Sequence, residues 1–89
     1  MKDQALNPAD VAKLYKQVEG KLESVVEKLL RTKANEADNV LLNVQITMER
    51  VFITTAMKIA QNNISQASKL LGINRNTLSK KLREMDRPI

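Results

Sequence analysis

The side chains with the most chemistry to offer crowd into one stretch near the C-terminus: Asn63, Ser65, Asn74, Arg75, Asn76, Thr77, Ser79, Lys80, Lys81 and Arg83. They are amides, hydroxyls and cations, the groups that grip phosphate oxygens and base edges. None is a nucleophile beside a general base. The spacing around them is that of two short helices. Ser65 is expected to cap the first through its side-chain oxygen. Ala67 and Ser68 are small where a second helix must cross closely. Gly72 suits the turn, where a left-handed backbone is cheapest without a Cβ. Ile73 fills the angle, and Asn74 suits the next N-cap.

Leu78, Leu82 and Met85 then recur at i, i+4 and i+7, so one face of the last helix is expected to be buried. At about 100° per residue, Asn76, Lys80 and Arg83 point the opposite way. Thr77 and Ser79 flank that outer stripe, and Arg75 and Lys81 stand at the borders of the apolar face. This is the pattern of a helix-turn-helix, and a helix carrying short polar and cationic side chains suits the DNA major groove.

Composition narrows the alternatives. The 89 residues contain no cysteine and no histidine, which removes disulfides, thiolate zinc sites and the commonest general base. No phosphate-binding glycine loop is present. Glu19, Glu23 and Glu27 repeat every four residues among Lys16, Lys28 and Arg31; they read as a solvated face with pairs such as Glu27–Arg31 rather than as metal ligands. No cofactor, metal or enzymatic activity is expected. Tyr15 and Phe52 are the only aromatic residues, too few for base-stacking platforms. No apolar run is long enough to cross a bilayer, so no membrane partner is expected and the localisation reads as cytoplasmic.

The charge is unevenly placed. Up to Val40, seven cations meet seven anions; from Leu41 onward eight cations face three anions, so the whole net charge of +5 lies there. Concentration of cations around the reading helix is what phosphate binding requires.

Two sets of residues also carry a resemblance. Met48-Glu49-Arg50-Val51-Phe52-Ile53-Thr54-Thr55-Ala56, followed by the run Asn63–Leu82, resembles the Fis-type helix-turn-helix family. That family takes in the C-terminal domains of NtrC-type enhancer-binding activators and a small nucleoid DNA-bending protein. Leu71 to Leu78 and Lys80-Lys81-Leu82 are the most specific stretches; Glu49-Arg50 and Thr54-Thr55-Ala56 lean toward the activators. The resemblance implies sequence-specific binding of double-stranded DNA by a homodimer in bacterial transcription regulation, with nucleoid association. It also implies ATPase and receiver domains elsewhere in a longer protein. A freestanding DNA-bending protein, or a dimerisation module without DNA binding, is the alternative.

Chemistry and resemblance together assign roles. Arg75 is expected to read a base, because guanidinium chelates guanine. Asn74, Thr77 and Lys80 are expected at phosphates or base edges, Asn63 and Ser65 at phosphate beside helix N–H groups, with Lys81 and Arg83 as further phosphate contacts. Ser79 stands where the nucleoid member carries arginine, and Val51 where it carries a proline, so one cationic contact and one kink are missing.

Longer helices must position this head. Asn7-Pro8 is a helix entry, with Asp10 in the first turn. From Val11 to Leu30, apolar residues at three- and four-residue spacing predict a helix of about twenty residues carrying one stripe, with Gly20 inside it at a cost of about 1 kcal/mol relative to Ala. Thr32 to Asp38 reads as a polar connection. Val40, Leu42, Val44, Ile46 and Met48 alternate as in a strand, yet Leu41, Val44, Met48, Phe52, Thr55 and Ile59 also fit a helical stripe. The absence of a turn signal before Asn62-Asn63 favours one helix from about Asp38 to Gln61.

That helix is apolar around most of its circumference, which predicts a dimer. Covering about 500 Å² per chain would be worth roughly 12 kcal/mol before entropy and desolvation costs. Val18, Leu22, Val25, Leu29, Leu41, Val44, Met48 and Phe52 are the expected dimer interface. The expectation is therefore an all-α chain of four helices: residues 1–7 a disordered start or linker, 8–62 a helical dimerisation region, and 63–89 the helix-turn-helix, forming one compact domain.

Overall fold

The computed structural model describes residues 7–32 and 39–85, and among these the chain is all-helical. Four helices follow in order: α1 (Pro8–Thr32), α2 (Val40–Ile59), α3 (Ile64–Leu71) and α4 (Arg75–Met85). The expected start at residues 1–6, the connection at 33–38 and the last four residues lie outside the described part. The chain divides into two compact units, 1–40 and 41–89. Nearly all of α2 falls in the second of these units, with α3 and α4.

In the first unit, α1 starts as its sequence dictates. The Asn7 side-chain oxygen accepts from the Asp10 backbone N–H at 2.9 Å, and Pro8, which has no N–H to satisfy, takes the first helical position. At 25 residues α1 is longer than the twenty expected, reaching Pro8 at one end and Thr32 at the other, and Gly20 lies inside it as expected. Glu27 and Arg31 form the anticipated i,i+4 ion pair at 3.0 Å, both well exposed. The apolar stripe is present, but none of its members is buried.

In the second unit, α2 is helical throughout its described length, which settles the strand-like alternation at residues 40–48. Ile53, Ala56 and Ala60 face inward and meet Ala67 of α3 and Leu78 of α4, both fully enclosed. Met57, Ile64, Leu71, Ile73, Leu82 and Met85 pack around this centre. The alanines at 56, 60 and 67 are the small members of this centre, while Ile53 and Leu78 supply the volume.

Two like-built corners turn the chain. After α2, Gln61 N–H reaches Lys58 C=O at 3.2 Å and Asn62 N–H reaches Met57 C=O at 2.9 Å. After α3, Gly72 N–H reaches Lys69 C=O at 3.3 Å and Ile73 N–H reaches Ser68 C=O at 3.0 Å. Both are Schellman ends, which need a left-handed residue just past the helix. At the second, Gly72 takes φ 73° at little cost; at the first, Gln61 takes φ 54° and Asn62 φ 67° despite their Cβ atoms.

Candidate nucleic-acid interface

The helix-turn-helix is built from α3, the Gly72 corner and α4. One expectation needs correction: Ser65 does not cap α3. Asn63 does, its side-chain oxygen accepting from Gln66 N–H at 3.0 Å. The reason is the Schellman turn at Gln61–Asn62, which places Asn63, in extended backbone, immediately before the first helical residue. Ser65 lies inside the first turn, exposed, where its N–H has no carbonyl of the same helix to reach. Asn63 and Ser65 thus stand together at the positive end of α3, the arrangement that receives phosphate.

Ser68 is buried in the helix crossing, and its hydroxyl donates to Ser65 C=O at 2.8 Å, so a polar atom at the tightest point is satisfied. At the start of α4, the Asn74 side-chain oxygen accepts from Asn76 N–H at 2.7 Å, as expected of an N-cap. Its oxygen is thereby engaged in fixing the helix rather than left for a ligand.

Leu78 fixes the orientation of α4 by being entirely enclosed. With it inward, and Leu82 and Met85 partly covered on the same side, Arg75, Asn76, Thr77, Lys80 and Arg83 are all exposed. Three cations, an amide and a hydroxyl therefore share one solvent-facing surface. Ser79 is half-buried on the flank, where its short side chain adds little reach.

Lys81 is placed differently from the rest. Its ammonium lies 3.0 Å from the Glu49 carboxylate of α2, and it is only half-exposed. Sequence reading put Lys81 at the border of the apolar face but gave Glu49 no part in the site. The two are 32 residues apart, so neither periodicity nor a local motif pairs them.

The dimer-interface candidates fall on both units. Val18, Val25 and Leu29 on α1 and Leu41 and Phe52 on α2 are exposed; Leu22, Val44 and Met48 are half-buried. Among the described residues no His, Cys, Asp and Glu cluster with metal-holding geometry occurs, and no helix is long and apolar enough to cross a membrane.

Comparison with known proteins locates the similarity on the second unit. Residues 47–85 match the sequence profile of the Fis family of bacterial regulatory proteins. A stretch of 47 residues, 53% of the chain, is 45% identical to the DNA-binding transcriptional regulator NtrC of Klebsiella pneumoniae and covers 10% of that protein. The NtrC of Escherichia coli K12 is 43% identical over the same length. A Fis-like DNA-binding protein of Ralstonia nicotianae is 54% identical over 37 residues, 42% of the chain and 48% of that relative. The match thus spans a tenth of the NtrC regulators and about half of the Fis-like protein. No solved structure matches the chain.

Proposed function

We propose that this chain, whose residues 47–85 match the Fis family of bacterial regulatory proteins, binds double-stranded DNA with sequence preference. It does so as a homodimer in transcription regulation, as the DNA-binding part of an NtrC-type activator whose ATPase and receiver domains would lie in the rest of a longer protein. The observation that carries the reading is the outer face of α4. Arg75, Asn76, Thr77, Lys80 and Arg83 are exposed together because Leu78 is locked inward.

Arg75, one residue after the cap, sits where the N-terminal end of a recognition helix meets base edges, and its guanidinium suits the two acceptors of guanine. Asn76 and Thr77 supply short donors to neighbouring edges or phosphates. Lys80 and Arg83, further along the helix, neutralise the flanking backbone. Asn63 and Ser65 hold a phosphate at the head of α3. Two copies related by a twofold axis present two such helices to a roughly palindromic site. The exposed apolar residues of α1 and α2 supply the contact between the copies. Where the two helices are closer than one turn of duplex, the DNA bends to meet them, at a cost of about 1–6 kcal/mol that depends on sequence.

The test is a pair of substitutions titrated on a selected duplex and a scrambled one across a range of salt. Arg75→Ala is expected to weaken the selected duplex by about 1–3 kcal/mol and to flatten base preference. Lys80→Ala is expected to weaken both duplexes alike and to reduce the salt slope by about one phosphate. Equal losses on both duplexes for Arg75→Ala would remove it as the base-reading residue.

A further inference from the structure

The ion pair between Lys81 and Glu49 sets a limit on the DNA face that the outer stripe of α4 does not reveal. Lys81 stands three residues after the enclosed Leu78, on the flank of α4 facing α2, and Glu49 stands four residues before the enclosed Ile53. Two rigid, core-anchored helices thus bring the charges together, so the pair does not depend on a loop holding its shape. Beneath it lies an apolar groove whose lining includes Met48, Phe52, Leu71 and Ile73, and both charged residues are part of its wall. A nonpolar wall on one side reduces the screening that weakens fully exposed pairs. Glu49 and Glu84 are the only acidic residues among the described part of this unit, against seven cations. One of the two is spent on a lysine next to the proposed reading surface.

We propose that Glu49 restrains phosphate binding by holding Lys81 back from the duplex, which makes it a determinant of the sequence-independent part of DNA affinity. The proposal rests on the DNA-binding reading above and deepens it. A lysine already paired with a carboxylate contributes less net charge to a phosphate than a free one, and the Glu49 oxygen is at contact distance from Lys81. The duplex therefore meets Arg75, Lys80 and Arg83 as mobile cations and meets Lys81 as half of a neutral pair. Glu84 is three residues beyond Lys81 on the same flank of α4, and it supplies the control. Its removal changes net charge by the same amount without releasing Lys81.

The experiment compares Glu49→Gln, Glu84→Gln, Lys81→Ala and the double variant Glu49→Gln/Lys81→Ala with the unaltered chain. It uses scrambled duplex across salt and, separately, elution from immobilised heparin, a sulfated polyanion that needs no duplex geometry. Glu49→Gln is expected to steepen the salt slope by about one phosphate, so that its affinity falls roughly threefold more than that of the unaltered chain between 50 and 200 mM salt. It should also elute later from heparin. Glu84→Gln should leave the slope as it was, and the double variant should return it to the starting value. The pair is partly exposed, so each variant is expected to keep its helical circular dichroism.

Equal steepening by Glu84→Gln, or a Glu49→Gln effect that persists undiminished without Lys81, would overturn the restraint in favour of a net-charge effect. Weaker binding by Glu49→Gln would make the carboxylate a positioning group for α4 instead and overturn it equally. If no duplex is bound, the DNA reading fails and the proposal built on it fails with it, whatever heparin elution shows. An unaltered chain that binds duplex, with neither slope nor elution moved by Glu49→Gln, sinks the restraint and spares the DNA reading.

Discussion

Both units of this chain leave large hydrophobic residues exposed, but among the described residues only the second also encloses a centre. In α1 the stripe Val11, Leu14, Val18, Val25 and Leu29 is regular and long, yet every member remains exposed. In the second unit the innermost positions are on average smaller, yet Ile53, Ala56, Ala60, Ala67 and Leu78 are buried. The difference is geometric. Two sharp corners fold the second unit back on itself, so three short faces close around one centre. Among the described residues of the first unit none is buried, and helices in proteins draw most of their stability from packing an amphipathic face. The charge follows the same divide: the neutral half carries the unmatched stripe, and the half with its own core carries the +5.

That contrast can be broken most forcefully at Leu78. Leu78→Ala empties the enclosed centre where three helices meet and is expected to cost about 2–5 kcal/mol. Chemical denaturation followed by circular dichroism reads the loss, and α4 should lose its fixed outer face with it. An α1 substitution should act on association instead. Val18→Asp places a charge in the stripe and is expected to weaken self-association by about 2–4 kcal/mol through the uncompensated carboxylate. Sedimentation equilibrium would measure this, and the helicity of α1 should cease to rise with protein concentration. A Val18→Asp chain that associates as tightly as the original would remove α1 from the interface.

Smaller effects sharpen the comparison within the second unit, at its two corners. Gly72→Ala is expected to lose about 1–2 kcal/mol from the left-handed backbone alone, since nothing lies within 4 Å of the added Cβ. Gln61→Gly relieves the same strain at the other corner and is expected to gain about 0.5–1 kcal/mol, less than Gly72→Ala loses because glycine also loosens the unfolded chain. Melting temperatures of the two variants should move in opposite directions.

Much of this was legible from residue order. The caps at Asn7 and Asn74, the glycine corner at residue 72, the enclosed Leu78 and the exposed Asn76, Lys80 and Arg83 follow from local chemistry and a 3.6-residue period. The matched family segment begins at residue 47, close to where the quoted resemblance starts. What escaped the sequence depended on geometry between distant residues. Ser65 has the right side chain for a cap, but the preceding turn delivered Asn63 to that position. Gln61 carries no sequence mark of a left-handed residue; its neighbours' hydrogen bonds impose the conformation. Compactness divides the chain near residue 40 because the second half of α2 is drawn into the core of α3 and α4.

The order of amino acids alone determined that the described residues are helical, where α3 turns and α4 begins, and which side of α4 is cationic. Those outcomes depend on interactions within a few residues, which composition and period encode directly. Only the tertiary structure decided that α2 shares a core with the helix-turn-helix while α1 buries nothing, and that Lys81 belongs to Glu49. Those depend on which faces meet in space, and a carboxylate 32 residues from its lysine becomes a neighbour only after three helices have closed around Ile53 and Leu78.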